Sequence, residues 1–159
     1  MADARFEDGD EPPLALTART AEDLAVISAL VQDAVLPVTE VSWLPRRRRF
    51  AVLLNRFRWE DMAAADIAGR DYERVRSLLV VDDVTRVKSN GIDPGDRDLI
   101  LSVLSLGFEP TDDGAGRIVF NIAGDGQIAL DVECIEMQLK DVTRPYRAVS
   151  GKAPEHPQD

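Results

Sequence analysis

Residues 117–132, RIVFNIAGDGQIALDV, place two stretches of alternation on either side of a turn. Ile118, Phe120 and Ile122 alternate with Arg117, Val119 and Asn121, and Ile128, Leu130 and Val132 alternate with Gln127, Ala129 and Asp131. A period of two puts each apolar series on one face of a strand, and Gly124-Asp125-Gly126 supplies residues suited to a tight turn. The segment predicts a β-hairpin, and with it an antiparallel sheet.

Moving toward the N-terminus, the loop Thr111-Asp112-Asp113-Gly114-Ala115-Gly116 precedes the longest apolar run, residues 99–108. Serines at 102 and 105 leave that run no clean polar helical face, so it predicts a strand, with Asp96 as a cap for a helical start. Asn90-Gly91 and Asp93-Pro94-Gly95-Asp96 are strong turn signals. Earlier still, Leu79 and Val81 oppose Leu78 and Val80 in a strand beginning near Arg74, and Asp82-Asp83 turns the chain into residues 84–88.

Val41 and Trp43, then Phe50, Val52 and Leu54, form a second hairpin signal whose tip carries Arg46, Arg47, Arg48 and Arg49 in succession. Residues 57–72 break the alternation and predict either a short helix or an irregular excursion closed near Gly69. Helical spacing is expected at both ends of the chain. Thr20 followed by Glu22 and Asp23 has the form of an N-cap with a dipole-complementing first turn, and Leu24, Ile27, Leu30, Val31, Ala34 and Val35 form a stripe up to Pro37. Residues 133–142 predict a C-terminal helix in which Ile135, Leu139 and Val142 share a face.

The expected fold is α+β: an antiparallel sheet of about seven strands with an N-terminal and a C-terminal helix, an order shared with pleckstrin-homology-like barrels. The chain has 159 residues, 45% hydrophobic and 30% charged, with a net charge of −10. This predicts one domain over residues 14–144. It is flanked by an acidic disordered tail, 1–13, and a Pro-rich disordered tail, 145–159. The first tail holds Asp3, Glu7, Asp8, Asp10 and Glu11 against Arg5. An acidic balance argues against nucleic-acid and anionic-membrane partners. No apolar run approaches a membrane span and the N-terminus lacks a signal-peptide layout, so a cytoplasmic location is expected.

The stretches AEDLAVISA (21–29), LPRRRRF (44–50), NRFRWE (55–60) and VECIEMQL (132–139) resemble a family of small alphaproteobacterial proteins with no assigned activity. The resemblance covers residues 14–141. It implies a bacterial cytoplasmic setting and transfers no catalytic residue.

The only histidine, His156, falls in the C-terminal tail, and Cys134 is the only cysteine. Histidine-based acid–base catalysis, nucleophile–histidine triads and Cys/His zinc sites therefore lack their residues in the folded part, and no catalytic residue is assigned. Cys134 reads as a small buried hydrophobe. Asp93, Asp96 and Asp98 match no calcium-loop spacing and read as turn residues, as do Asp112 and Asp113; no metal or cofactor is expected. Asp131, Glu133 and Glu136 read as dipole complements near a helix start.

The candidate ligand contacts are Arg46, Arg47, Arg48, Arg49, Arg56 and Arg58, whose guanidinium groups can grip phosphate or carboxylate. The leading expectation is a non-enzymatic protein-interaction domain, monomeric or homodimeric, using a sheet edge, the basic hairpin or the 57–72 excursion. The alternative is a domain that binds a small anionic metabolite through these arginines. Third comes an enzyme restricted to carboxylate or metal-assisted chemistry.

Overall fold

The computed structural model describes residues 12–147. The tail residues 1–11 and 148–159, including His156, lie outside the described residues, and with them most of the two tails expected to be disordered. The strands are β1 (Ala15–Ala18), β2 (Val35–Pro37), β3 (Val41–Leu44), β4 (Arg49–Phe57), β5 (Glu73–Val81), β6 (Val84–Asn90), β7 (Ile100–Pro110), β8 (Gly116–Ile122), β9 (Gly126–Val132), β10 (Met137–Asp141) and β11 (Tyr146–Arg147). Two α-helices accompany them among the described residues, α1 (Ala21–Leu30) and α2 (Met62–Ala68).

All strand pairs are antiparallel, and the main path runs β1-β10-β5-β4-β2-β7-β8-β9-β6, with β3 added to β4 and β11 to β5. The chain passes between the two halves of this sheet at adjacent links. β5 runs into β6 through Asp82-Asp83 without pairing to it, and β9 runs into β10 through residues 133–136. The links are bonded side by side, with Asp82 N–H donating to Glu136 O at 2.9 Å and Glu133 N–H to Asp83 O at 3.1 Å. Asp82-Asp83 is thus a step between layers and closes no hairpin.

One core lies between the halves. Phe50, Val52 and Leu54 of β4 and Leu79 and Val81 of β5 meet Ile118, Phe120, Leu130 and Val132 of β8 and β9. Phe50 and Phe120 pack edge to face with centroids 5.7 Å apart. Helix α1 buries Leu24 and Ile27 against this core and lies along β7, where the Ser28 hydroxyl accepts the Leu106 N–H at 2.9 Å.

The β8–β9 hairpin and the basic-tipped β3–β4 hairpin form as expected, and Thr20 caps α1 by accepting the Asp23 N–H at 3.1 Å. The expected seven-stranded α+β fold with a helix at each end is corrected: among the described residues the sheet has eleven strands and the two α-helices are short. The helix expected to reach Pro37 stops at Leu30. Asp33 turns at φ 63, and residues 35–37 then join the sheet as β2 between β4 and β7.

The expected C-terminal helix is strand β10. Met137, Leu139 and Asp141 face inward and Gln138 and Lys140 outward, so the period is two. Ile135, Leu139 and Val142 share helical spacing, but the inward series is Met137, Leu139 and Asp141, whose last member is an aspartate and so interrupts the apolar alternation of a strand. No helix starts at Asp96, and residues 93–99 form turns. Residues 57–72 contain a short helix, closed by Gly69 at φ 66. Tyr146 and Arg147 pair with Arg74 and Glu73 as β11.

The strand assignment has a direct consequence. Leu139→Ala should cost about 2–5 kcal/mol in denaturant unfolding. Val142→Ala, at a site the helical reading would bury, should stay within about 0.5 kcal/mol. Equal losses at the two positions would contradict a strand.

Candidate functional site

The inward series of three neighbouring strands each reach a polar residue at the same end of the core: Phe50, Val52, Leu54 and then Arg56 on β4; Val81, Leu79 and then Ser77 on β5, ahead of Val75; Met137, Leu139 and then Asp141 on β10. Asp141 is paired with Ser77 across the ladder, and Ser77 with Leu54, two residues from Arg56, so the three side chains converge at one end of the core. Arg56 is fully buried, with 0% of its surface exposed.

Its Nε donates to Ser77 Oγ at 3.1 Å and Asp141 Oδ1 at 3.3 Å. Its two terminal nitrogens reach Glu60 Oε1 and Oε2 at 2.9 and 2.8 Å, Asp141 Oδ1 at 3.1 Å and Phe57 O at 3.4 Å. Ser77 Oγ donates to Asp141 Oδ1 at 2.7 Å, and Leu14 N–H to Asp141 Oδ2 at 3.2 Å. Five guanidinium N–H groups are available, and the cluster engages all three nitrogens, leaving Arg56 committed inside the protein.

A second group adjoins it. Arg58 pairs with Glu73 and lies 3.4 Å from Asp61, while Arg70 holds Asp61 through contacts of 2.6 and 2.8 Å. Phe57 stacks edge-on against Trp59 and Tyr72, and Trp59 Nε1–H donates to Gln32 O at 2.9 Å. The aromatics of 55–60 thus anchor the 57–72 excursion to the sheet. Burial disfavours the Glu60 carboxylate, yet the Arg56 guanidinium outweighs it and holds the group below its ordinary range. The hydrogen bonds from Arg70, aided by the charge of Arg58, lower Asp61.

The four consecutive arginines divide. Arg48 pairs with Glu133, and Arg49 binds Asp82 with Nε 2.8 Å from Oδ1, whereas Arg46 and Arg47 are exposed and form no ion pair among the described residues. Leu44, Pro45, Arg46 and Arg47 line a shallow depression of about 320 Å³. Arg48 stands at φ 54, which turns the chain into β4.

The other candidates disperse. Asp131 pairs with Arg117 at 2.9 Å, Glu133 with Arg48 and Glu136 with Arg19 at 3.1 Å, so these acids form no catalytic pair. Asp93 and Asp96 accept the N–H groups of Gly95 and Asp98, as turn residues do. Among the described residues no group of three or more His, Cys, Asp or Glu side chains is placed to hold a metal ion. Cys134 is exposed, correcting its reading as a buried hydrophobe. Its thiol donates to Asp83 Oδ2 at 3.3 Å, a bond that raises its pKa with help from burial and the neighbouring carboxylates.

What the candidate list omitted is the outward face of the same three strands with β3. Ala51 and Leu53 of β4 lie beside Val80 and Leu78 of β5, all half-buried, with Leu44 exposed at one end. Antiparallel sheets usually turn polar residues outward. Around this apolar strip stand Arg74, Arg76 and Lys140, with Arg46 and Arg47 beyond its tip. The carboxylates of these four strands, Glu73 and Asp141, belong to the inward series, so none of them faces outward. The sequence signal was the pair of uninterrupted apolar runs, residues 51–54 and 78–81, which are apolar on both faces.

The profile of a family described as "Protein of unknown function (DUF2948)" matches residues 14–156, and the chain belongs to that family. No curated protein and no solved structure matches it significantly. No helix among the described residues is long and apolar enough to cross a membrane.

Arg56→Leu should destabilise the protein by about 3–5 kcal/mol, because Asp141 is left buried beside an apolar group. Acid should weaken the fold through Glu60 and Asp61. Their lowered pKa values contribute stability above the ordinary carboxylate range, near pH 4, that is lost as pH falls through the folded values. Glu60→Gln should flatten the fall in urea midpoint between pH 5 and 2 (about this window), and an unchanged slope would contradict the pairing.

Proposed function

We propose that this protein is a non-enzymatic interaction domain that docks a protein partner on the outward face of β3, β4, β5 and β10. The observation that carries this reading is the apolar strip Leu44, Ala51, Leu53, Leu78 and Val80, rimmed by five outward or exposed cations, in a chain whose net charge is −10. Exposed apolar surface with a polar rim is characteristic of an interaction site. An acidic body that gathers at one place arginines forming no ion pair among the described residues favours partners carrying carboxylates there.

The alternatives among the expected surfaces are weaker. The free edge of β6 exposes Arg86 and Lys88, charges of the kind that keep strand edges from pairing. On the 57–72 excursion Ile67 is 88% exposed, but its exposed helical neighbours are alanines and Asp66. A small anionic ligand gripped by Arg46 and Arg47 is the second reading, supported by the depression at the hairpin tip. Arg56 does not enter it, because its donors are engaged.

The test is capture of partners from the native host by tagged wild type, by Leu53→Asp/Leu78→Asp and by Ile67→Asp. The face predicts a specific partner retained by wild type and Ile67→Asp and lost from the double variant, with unchanged Tm for all three. A partner retained equally by the double variant would refute it.

A further inference from the structure

We infer that the partner lays an amphipathic α-helix of about thirteen residues, with carboxylates at its flank and ends, lengthwise on the outward face of β4 and β5. The inference rests on the proposed docking of a partner at this face and names the chemistry the face accepts.

The hydrogen bonding of the two strands decides between a helix and an extended chain. β4 is bonded to β5 on one edge and to β3 and β2 on the other, and β5 is bonded to β4 and β10. Both are interior strands, whose ladders offer no edge to a further strand. An extended segment lying on their face would bury its own N–H and C=O groups without partners from the sheet. A helix satisfies those groups internally and meets the strip with side chains alone. Sheet faces in layered domains are commonly covered by helices. The described helices are placed elsewhere: α1 packs on β7 and β1, and α2 on residues 59–61.

The dimensions agree. Ala51 and Leu53 lie beside Val80 and Leu78, so the strip is two strands wide, about 10 Å with its side chains and close to the diameter of a helix. Along β4 it runs from the row of Leu44 and Arg49 to that of Asn55 and Arg76, a distance of about 20 Å. At about 1.5 Å per residue, that length takes about thirteen helical residues. Val142, 49% exposed and with its N–H bonded to Arg76 O at 2.8 Å, adds an apolar group at the far end. Arg46 and Arg47 stand past the first end, Arg76 at the other, and Lys140 on the flank beside Leu78. None of these four forms an ion pair among the described residues. Carboxylates on the helix complement them, whereas a second copy of this chain would set the same cations against each other.

The full chain in its native host tests this. The photo-crosslinking residue p-benzoylphenylalanine replaces Leu53, or Gln138 on the flank, or Ser89 on β6 as a control; Gln138 is exposed, so it carries the probe even where position 53 rejects the bulk. Mass spectrometry after digestion identifies the residues crosslinked. Positions 53 and 138 should both capture one partner segment in which Asp and Glu outnumber Lys and Arg, at residues three or four apart, and position 89 should not. Synthesised as a peptide, that segment should gain helical circular dichroism on mixing with the protein. Arg76→Glu/Lys140→Glu should weaken its binding about tenfold at low salt. The difference should vanish near 1 M NaCl, where charges more than about 3 Å apart are screened. Crosslinks to a second copy of this chain, to a segment of net positive charge, or to a peptide that stays non-helical when bound would overturn the inference. So would equal crosslinking from position 89, or none from positions 53 and 138. A partner that is lost from Leu53→Asp/Leu78→Asp but crosslinks through a basic or non-helical segment sinks the helix and spares the face. A partner kept by that double variant sinks the face itself.

Discussion

The buried Arg56 guanidinium is the constraint on which the surrounding structure depends. A fully buried charge is tolerated only when it is paired and its donors are satisfied. Here the satisfaction comes from four places: Ser77 on β5, Asp141 on β10, Phe57 O at the end of β4 and Glu60 just beyond it. Asp141 in turn accepts from Leu14 at the start of β1. A residue in any of these elements that slipped by one position would turn its polar group to the other face and strand Arg56. The cluster therefore sets the register of β1, β10, β5 and β4 together, and the neighbouring Arg58–Asp61–Arg70 group clamps the excursion beside it.

Fixing which side chains point inward also fixes which point outward. With both carboxylates of these strands, Glu73 and Asp141, drawn inward, the outward positions are left with leucines, valine, alanine, the uncharged polar Ser42, Asn55 and Gln138, and cations. The polar cluster and the outward apolar strip are thus two sides of the same strands. One end of the core is acidic and closed, and the outer surface is apolar and basic on a protein that is acidic as a whole. The chemistry expected of Arg56 and Arg58 from their type is used internally, whereas Arg46 and Arg47 keep their charge exposed to solvent.

Much of the sheet was legible because its local signals agree. In β8 and β9 the alternation, the turn glycines and the burial coincide, and Phe50, Val52 and Leu54 form the inward face of β4 in the structure. What could not be read is what depends on distant partners. Asp141 looks like a solvent residue until Arg56, 85 positions earlier, is seen beside it. Once it is counted as polar, Ile135, Leu139 and Val142 suggest a helix where a strand exists. Apolar Val31 and Ala34 continue the stripe of α1 and are buried, but as the descent into β2. Residues 51–54 and 78–81 carried a readable signal, since consecutive apolar residues in a strand demand cover on both faces. Among the described residues the inward members are buried and the outward ones, Ala51, Leu53, Leu78 and Val80, only half-buried.

A double-mutant cycle on Arg56→Leu and Asp141→Leu, read by urea unfolding, measures the coupling directly. If the two act as one unit, each single change is severe and the double change costs little more than either, a coupling on the order of 2–3 kcal/mol. Additive losses, with a coupling within about 0.5 kcal/mol of zero, would mean that the pair does not set the register of these strands.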